Sequence, residues 1–189
     1  MIIPTILTKT SNGTVGYDLY SRLLEENIIC IHGEIETEMA MIIVGSLKYL
    51  EAKNPKDKIS IWINSPGGSI LDGYSIIDTM KSIKNPIETI ATGMVASMGT
   101  TIFINGDKGS RLIQEHSELL VHQPSSGCSG QVSDMEIVTE HSKRLKEQLE
   151  EEYSKLTGIS KKKMHEMMDR DTILTAKEAV ELGFADKII

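Results

Sequence analysis

Three short apolar runs recur in the first half of the chain: NIICIHG at 27–33, KISIWINS at 58–65 and PIETIATG at 86–93. Each is rich in isoleucine, and each closes on glycine or Ser-Pro, the punctuation that ends a strand. Between them, apolar positions return every three or four residues. Residues 36–53 place Met39, Ile42, Ile43, Leu47 and Leu50 on one stripe, and residues 70–83 do the same with Ile70, Tyr74, Ile77, Met80 and Ile83. That spacing predicts two amphipathic helices. Strand, helix, strand, helix, strand predicts right-handed crossovers and a largely parallel sheet, which is the α/β class. In such a sheet, function gathers beyond the carboxyl ends of the strands. Two turns fall there: SPGG at 65–68 and the turn around Ser97.

The second half is patterned differently. RLIQEHSELLVHQ at 111–123 predicts a strand pair around a polar turn, and PSSGCSG at 124–130 reads as a small-residue linker. A long helical run follows from Gln131 to Leu156. Val132, Met135, Val138, Leu145, Leu149, Tyr153 and Leu156 form its stripe, and Gly158 can end it. At 1.5 Å per residue this helix is roughly 40 Å long. A helix that overhangs its own domain must cover its stripe with another chain, so an oligomer is expected. The alternative is a helix bent back over its own sheet. The last segment, TAKEAVELGFADKII, predicts a short helix capped by Thr175 and then a terminal strand.

Composition narrows the picture. A chain of 189 residues suits one domain with a real core, and 40% hydrophobic with 25% charged residues is ordinary for a soluble protein. The net charge of -7 argues against nucleic acid as a partner, because phosphate binding wants clustered Lys and Arg. Cys30 and Cys128 have no metal-ligand spacing and offer no disulfide framework. The start, MIIPTILTKT, lacks a basic leader, and no apolar run is long enough to span a bilayer. A cytoplasmic protein without membrane or metal is expected. With two Phe and one Trp, aliphatic residues and ten Met must fill the core.

One segment raises a chemical question. ATGMVASMGT at 91–100 surrounds Ser97 with Gly93, Ala96 and Gly99. Small neighbours suit either close packing of a helix start or a nucleophile that needs room. A serine nucleophile requires a base, a group to orient the base, and donors for the oxyanion. His122 ends an apolar strand before Pro124 and is the best-placed base. His32, His116, His141 and His165 lie in poorer contexts, and a lone histidine is more often a surface residue. Among the carboxylates, Asp169 and Asp171 precede an apolar segment. Asp171, beside Ile173 and Leu174, is expected to be partly buried; the alternative is that both serve surface salt bridges with Arg170. Gly67 and Gly68 lie between a strand and a helix, where glycine lets backbone N–H groups face a ligand. The amides of Gly68 and Met98 could make a two-donor hole. A phosphate loop is the rival for PGG, but neither GKS/T nor GxGxxG is present.

Taken together, YDLYSRLL (17–24), INSPGGSI (63–70), GMVASMG (93–99), HQP (122–124) and RDTILTAKEAVELGFAD (170–186) resemble, in order and spacing, the proteolytic subunits of ATP-dependent Clp proteases, the ClpP family. The likeness runs over nearly the whole chain. It implies an α/β, crotonase-like fold of repeated β-β-α/βαβ units with a protruding handle helix. It implies a serine endopeptidase with Ser97 as nucleophile, His122 as base, Asp171 as acid, and Gly68 and Met98 as oxyanion amides. It further implies a single peptidase domain over 1–189, in two stacked heptameric rings that enclose the active sites. Residues 1–18 would surround the axial pore, and residues 123–158 would form a handle strand and helix joining the rings. Gln131, Asp134, Asp169 and Arg170 match positions linking ring contact to triad alignment. Unfolded polypeptide would lie between the strand after Gly68, including Ile70, and the handle strand at Ser125, Ser126 and Gly127. An AAA+ unfoldase of the ClpX, ClpA or ClpC type would feed it in; ATP is used by that partner and no cofactor by this chain.

The chain departs from the family at the expected ATPase-docking surface. Ser60 and Ser82 stand where aromatics are common, and Trp62 where Tyr is usual. Burial of a large apolar anchor is worth about 1.5–3 kcal/mol, which polar walls would erode. The handle also reads SSGCSG rather than starting Gly-Gly. These departures leave a noncatalytic or weakly active paralogue subunit of mixed rings as an alternative. An acyl-CoA hydratase or isomerase of the wider crotonase fold is a third reading, but it needs carboxylate acid–base groups and a nucleotide site.

Overall fold

A computed structural model describes residues 3–11 and 13–189. Met1, Ile2 and Asn12, within the segment expected around a pore, lie outside the described residues. The chain runs through β1 (Thr5–Thr10), β2 (Gly13–Asp18), α1 (Leu19–Glu25), β3 (Ile28–His32), α2 (Thr37–Lys53) and β4 (Ile59–Ser65). It continues through α3 (Ile70–Ser82), β5 (Ile87–Ala96), α4 (Met98–Ile104), β6 (Arg111–Ile113) and β7 (Glu118–Val121). It ends with α5 (Val132–Thr157), α6 (Lys161–Met168), β8 (Thr172–Thr175), α7 (Ala176–Glu181) and β9 (Lys187–Ile188).

Alternating isoleucines build the centre. Ile59, Ile61 and Ile63 of β4 and Ile29 and Ile31 of β3 are buried, while Ser60 and Trp62 on the other face are half-buried. Strands β3, β4, β5, β6 and β9 lie side by side in that order, all parallel. Helices α2 and α3 make the expected crossovers. Ser69 caps α3 by accepting from Asp72 N–H. Ala40, Ile43, Leu47 and Leu50 of α2 are buried, but Ile42 is 67% exposed. Ile42 lies about 100° round the helix from Ile43, far enough to reach the exposed side of α2 while Ile43 is buried.

The third strand does not stop at Gly93. It turns there, at φ 62°, and runs on to Ala96. This splits its partners. Residues 89–91 pair with β6 and residues 94–96 pair with β7. The two strands predicted at 111–123 therefore do not pair with each other but follow one another along β5. Strand β8 completes the sheet, antiparallel to β7.

Two further expectations are corrected. Ile70 is the first residue of α3, not part of a strand, because Ser69 starts the helix one residue after Gly68. Residues 122–131 contain no strand, so the handle segment at Ser125 to Gly127 is exposed chain without a sheet partner here. The sequence pattern also misses the β1–β2 hairpin, a separate two-stranded sheet, and helix α1. The predicted long helix is α5, 26 residues and about 39 Å, closed by Gly158 at φ 82°. Its first half is exposed, whereas Leu149 and Tyr153 are buried. Thr175 caps α7 through a reciprocal bond with Glu178. Among the described residues no helix is long and apolar enough to cross a membrane.

One buried ion pair ties the chain's end to its middle. Arg111 Nε and Nη2 donate to the two oxygens of Asp186 at 2.9 and 2.7 Å. Burial alone would raise the Asp186 pKa, but the bonds from Arg111 and from backbone N–H groups hold it below the usual carboxylate range. Asp186→Asn leaves the Arg111 guanidinium buried without a counter-charge. It is expected to cost about 3 kcal/mol and to lower the melting temperature by about 6–12 °C in differential scanning fluorimetry. In the wild-type protein the pair's contribution is present above pH 3.8, the ordinary aspartate value of the unfolded chain, and is lost as pH falls through the depressed native pKa. The difference between variant and wild type therefore narrows in acid.

Candidate active site

Ser97 sits between β5 and α4 at φ 54°, ψ -123°, a conformation L-residues rarely adopt. Backbone bonds hold it there. Its N–H donates to Leu120 O at 2.9 Å, prolonging the β5–β7 ladder, and its C=O accepts from Thr101 N at 3.1 Å, the first turn of α4. The hydroxyl makes no capping bond. Ser97 Oγ has no hydrogen-bond partner among the described residues, so the helix-cap reading of this serine does not explain its side chain.

The small residues are explained by crowding. A Cβ on Gly67, at φ 95°, would lie 2.6 Å from Ser97 Cβ and 2.9 Å from Ala96 O. One on Gly68 would lie 2.2 Å from Ile35 O. The loop is pinned at that approach. Ile35 N–H donates to Gly67 O, Ser69 N–H donates to Ile35 O, and Ser65 Oγ accepts from Gly67 N–H and donates to Gly33 O. The N–H groups of Gly68 and Met98 are left without a partner among the described residues.

His122 and Asp171 meet through strand register. In the β7–β8 pair Val121 faces Thr172, so the next residues outward are His122 and Asp171. His122 Nδ1 stands 3.3 Å from Asp171 Oδ1. Asp171 is 69% exposed at its side chain, which corrects the expectation that it is partly buried. Its neighbour Ile173 also faces out, and only Leu174 is buried. Ser97 and His122 line one small cavity, together with Ile70, Met98, Thr101 and Tyr153. No hydrogen bond joins Ser97 Oγ to His122 in the single chain. Tyr153 braces the turn from behind: its hydroxyl is 2.9 Å from Thr101 Oγ1 and donates to Ser97 O at 3.4 Å. Burial pushes the Tyr153 pKa up, so it remains a neutral hydrogen-bonding group.

The Clp protease family model matches residues 11–189, essentially the whole chain. This chain belongs to the Clp protease family. It is a ClpP-type proteolytic subunit, a serine peptidase of the α/β, crotonase-like class. Clp proteases are self-compartmentalised oligomers that work with Clp ATPases.

The remaining positions of this Clp protease subunit are scattered in the single chain. Gln131 precedes α5 and Asp134 lies in its first turn, both exposed; Asp169 and Arg170 are exposed at the end of α6. No bond links the first two to the last two among the described residues. Arg170 Nη1 donates to Asp169 O at 3.4 Å and takes part in no ion pair there. Ser126 and Ser142 hydroxyls are 2.9 Å apart. Ser125, Ser126 and Gly127 are exposed. At the expected docking surface Ser60 Oγ donates to Glu88 Oε1 at 2.7 Å, Lys58 pairs with Glu88 Oε2 at 2.6 Å, and Ser82 Oγ donates to Thr79 O. The Lys58–Glu88 pair was not foreseen from sequence, because Lys58 precedes β4 and Glu88 lies on β5, and only the pairing of β4 with β5 brings them together. Gln123, Lys146 and Tyr153 were likewise missed as neighbours of the site.

Two glycine substitutions separate crowding from flexibility. Gly67→Ala is expected to lower stability by roughly 1–3 kcal/mol, because the new methyl group meets Ser97 and a fixed carbonyl. Gly45→Ala, within α2 where nothing lies within 4 Å, is expected to raise it by about 1 kcal/mol. Parallel thermal melts of the two variants check both signs.

Proposed function

We propose that this subunit cleaves polypeptides with a Ser97–His122–Asp171 triad. In that reaction Ser97 Oγ attacks the peptide carbonyl carbon while His122 Nε2 takes its proton. Asp171 holds the Nδ1 side of the imidazole. The oxyanion is received by the N–H groups of Gly68 and Met98. Collapse of the tetrahedral intermediate releases the amine, which leaves with the proton from His122. Water then attacks the acyl-serine by the same route and frees the carboxylate. Water is the only co-reactant, so the chain needs no cofactor, and ATP is spent by the partner ATPase.

The observation that carries this reading is a partnerless serine hydroxyl on a positive-φ turn, sharing a cavity with a histidine whose other nitrogen is 3.3 Å from a carboxylate. Free Gly68 and Met98 amides beside it support the oxyanion assignment.

The reading extends to assembly. Residues 123–158 join two heptameric rings, residues 1–18 surround the pore, and polypeptide passes Ile70 and Ser125 to Gly127. Gln131, Asp134, Asp169 and Arg170 form the ring contact, and an AAA+ unfoldase docks near Ser60, Trp62 and Ser82. The exposed first half of α5 supports the ring contact. Two cysteines without a disulfide support a cytoplasmic location.

A noncatalytic subunit of mixed rings is the second reading. It is favoured by the absence of a Ser97–His122 bond and by the exposure of Asp171. One experiment separates the two. Wild type, Ser97→Ala and Asp171→Asn are each purified alone, sized, and assayed with a fluorogenic peptide and a fluorophosphonate probe. The catalytic reading predicts labelling of Ser97 in the wild type only, and losses of about 10⁴-fold or more in hydrolysis for both variants at unchanged particle mass. Equal rates for wild type and Ser97→Ala, with no labelling, overturn it.

A further inference from the structure

We infer that Lys146 and Gln123 position the His122–Asp171 pair, acting through the backbone that carries Asp171. The inference rests on the triad reading above. Asp171 is exposed, and among the described residues its side chain has no partner other than His122. Its place is therefore set by its backbone, not by side-chain packing. That backbone is gripped by the residue after the histidine. Gln123 N–H donates to Met168 O at 2.7 Å, and Gln123 Nε2 donates to Asp169 O at 2.9 Å. Both bonds lie just before Asp171, and both spring from the residue next to His122.

The Gln123 amide needs its oxygen turned away from the Asp169 carbonyl. Lys146 on α5 provides the reason: its Nζ donates to Gln123 Oε1 at 2.8 Å. An ammonium is a donor only, so it permits one orientation of the amide and polarises the N–H that reaches Asp169. Lys146 is itself half-buried and held in place. Glu150, one turn along α5 and buried, lies 3.9 Å from Nζ and also binds His165 Nδ1 at 2.8 Å. Four residues on three segments thus form one polar chain from α6 through α5 to the His122 strand end. None of them touches the reacting atoms, so Lys146 and Gln123 are positioning residues.

A purely structural role predicts loss of stability alone; positioning predicts a selective loss of turnover. The experiment measures kcat and KM for a fluorogenic peptide on the assembled particle, with size and melting temperature recorded for each variant. Lys146→Met is expected to lower kcat about tenfold with KM within about twofold, as small misplacements of catalytic groups do. Lys146→Arg, which keeps a donor-only cation, is expected to restore kcat to within about twofold. Gln123→Met is expected to match Lys146→Met, and the double variant to be no worse than the poorer single, because both cut the same link. Should Lys146→Met fail to assemble, Gln123→Met carries the test, since it leaves Lys146 and Glu150 paired. Unchanged kcat in assembled Lys146→Met or Gln123→Met, or full additivity of the two, overturns the inference. The Asp171→Asn control keeps the two ideas apart. If it abolishes hydrolysis while the Lys146 and Gln123 variants do not change it, the triad stands and the positioning role falls. If Asp171→Asn is also silent, the triad reading itself has failed.

Discussion

Strand β7 is four residues long, and it aligns the three side chains of the candidate triad. On one side it pairs in parallel with the end of β5, and the Leu120 carbonyl continues that ladder by accepting from Ser97 N–H. On the other side it pairs antiparallel with β8, which sets His122 opposite Asp171. A strand side chain flips faces with every residue, so a slip of one position on either side would separate the groups entirely. Register of this kind is fixed by burial. Leu119 and Val121 are buried and Leu174 faces them from β8, so a slipped strand would expose the core.

The strained turn at Ser97 needs a different kind of support. A non-glycine residue at φ 54° persists only where its surroundings over-determine it. Here backbone bonds act on both sides of the residue, α4 behind it is buried, and Tyr153 reaches its carbonyl. The glycines are the complement of that support. Gly67 lets one loop touch the serine, Gly99 lies against Ser65, and Gly73 accommodates the Met98 side chain. The small residues around Ser97 thus serve packing and access together, because the packing is what forces the hydroxyl out into the cavity.

Much of this was legible from residue patterns. Isoleucine-rich runs closed by glycine or Ser-Pro marked β3, β4 and the start of β5, and three- and four-residue spacing marked α2, α3 and α5. The serine and histidine stood out because each lies at a strand end, where a parallel sheet opens. Strand partners were not legible. Nothing in RLI or ELLV says that both lie along β5; the bend at Gly93 decides it, and glycine announces freedom without direction. Proximity to Ile173 and Leu174 is a poor guide to Asp171, because alternation along β8 exposes Ile173 and buries Leu174, and Asp171 falls on the side of Ile173. The β1–β2 hairpin escaped because its side chains are largely exposed and so write no apolar period. The Gln123–Lys146 bond joins residues 23 apart and exists only once α5 has docked.

Helix α5 belongs to two environments at once. Leu149, Glu150 and Tyr153 are embedded in the domain, while Val132 and Ile137 present large apolar side chains to solvent. An α-helix of 26 residues bends only gently unless proline, a π-bulge or an inserted group breaks its ladder, so the two halves move largely as one body. Lys146 lies where the exposed half enters the core, one turn before Glu150. Any contact that tilts the outer half is felt there ahead of the more deeply seated Tyr153. The bond from Lys146 to Gln123 is partly open to solvent, whereas the Tyr153–Thr101 contact is buried. The site is thus joined to its helix by one yielding link and one rigid link. The rigid one holds the serine turn, and the yielding one adjoins the histidine and aspartate.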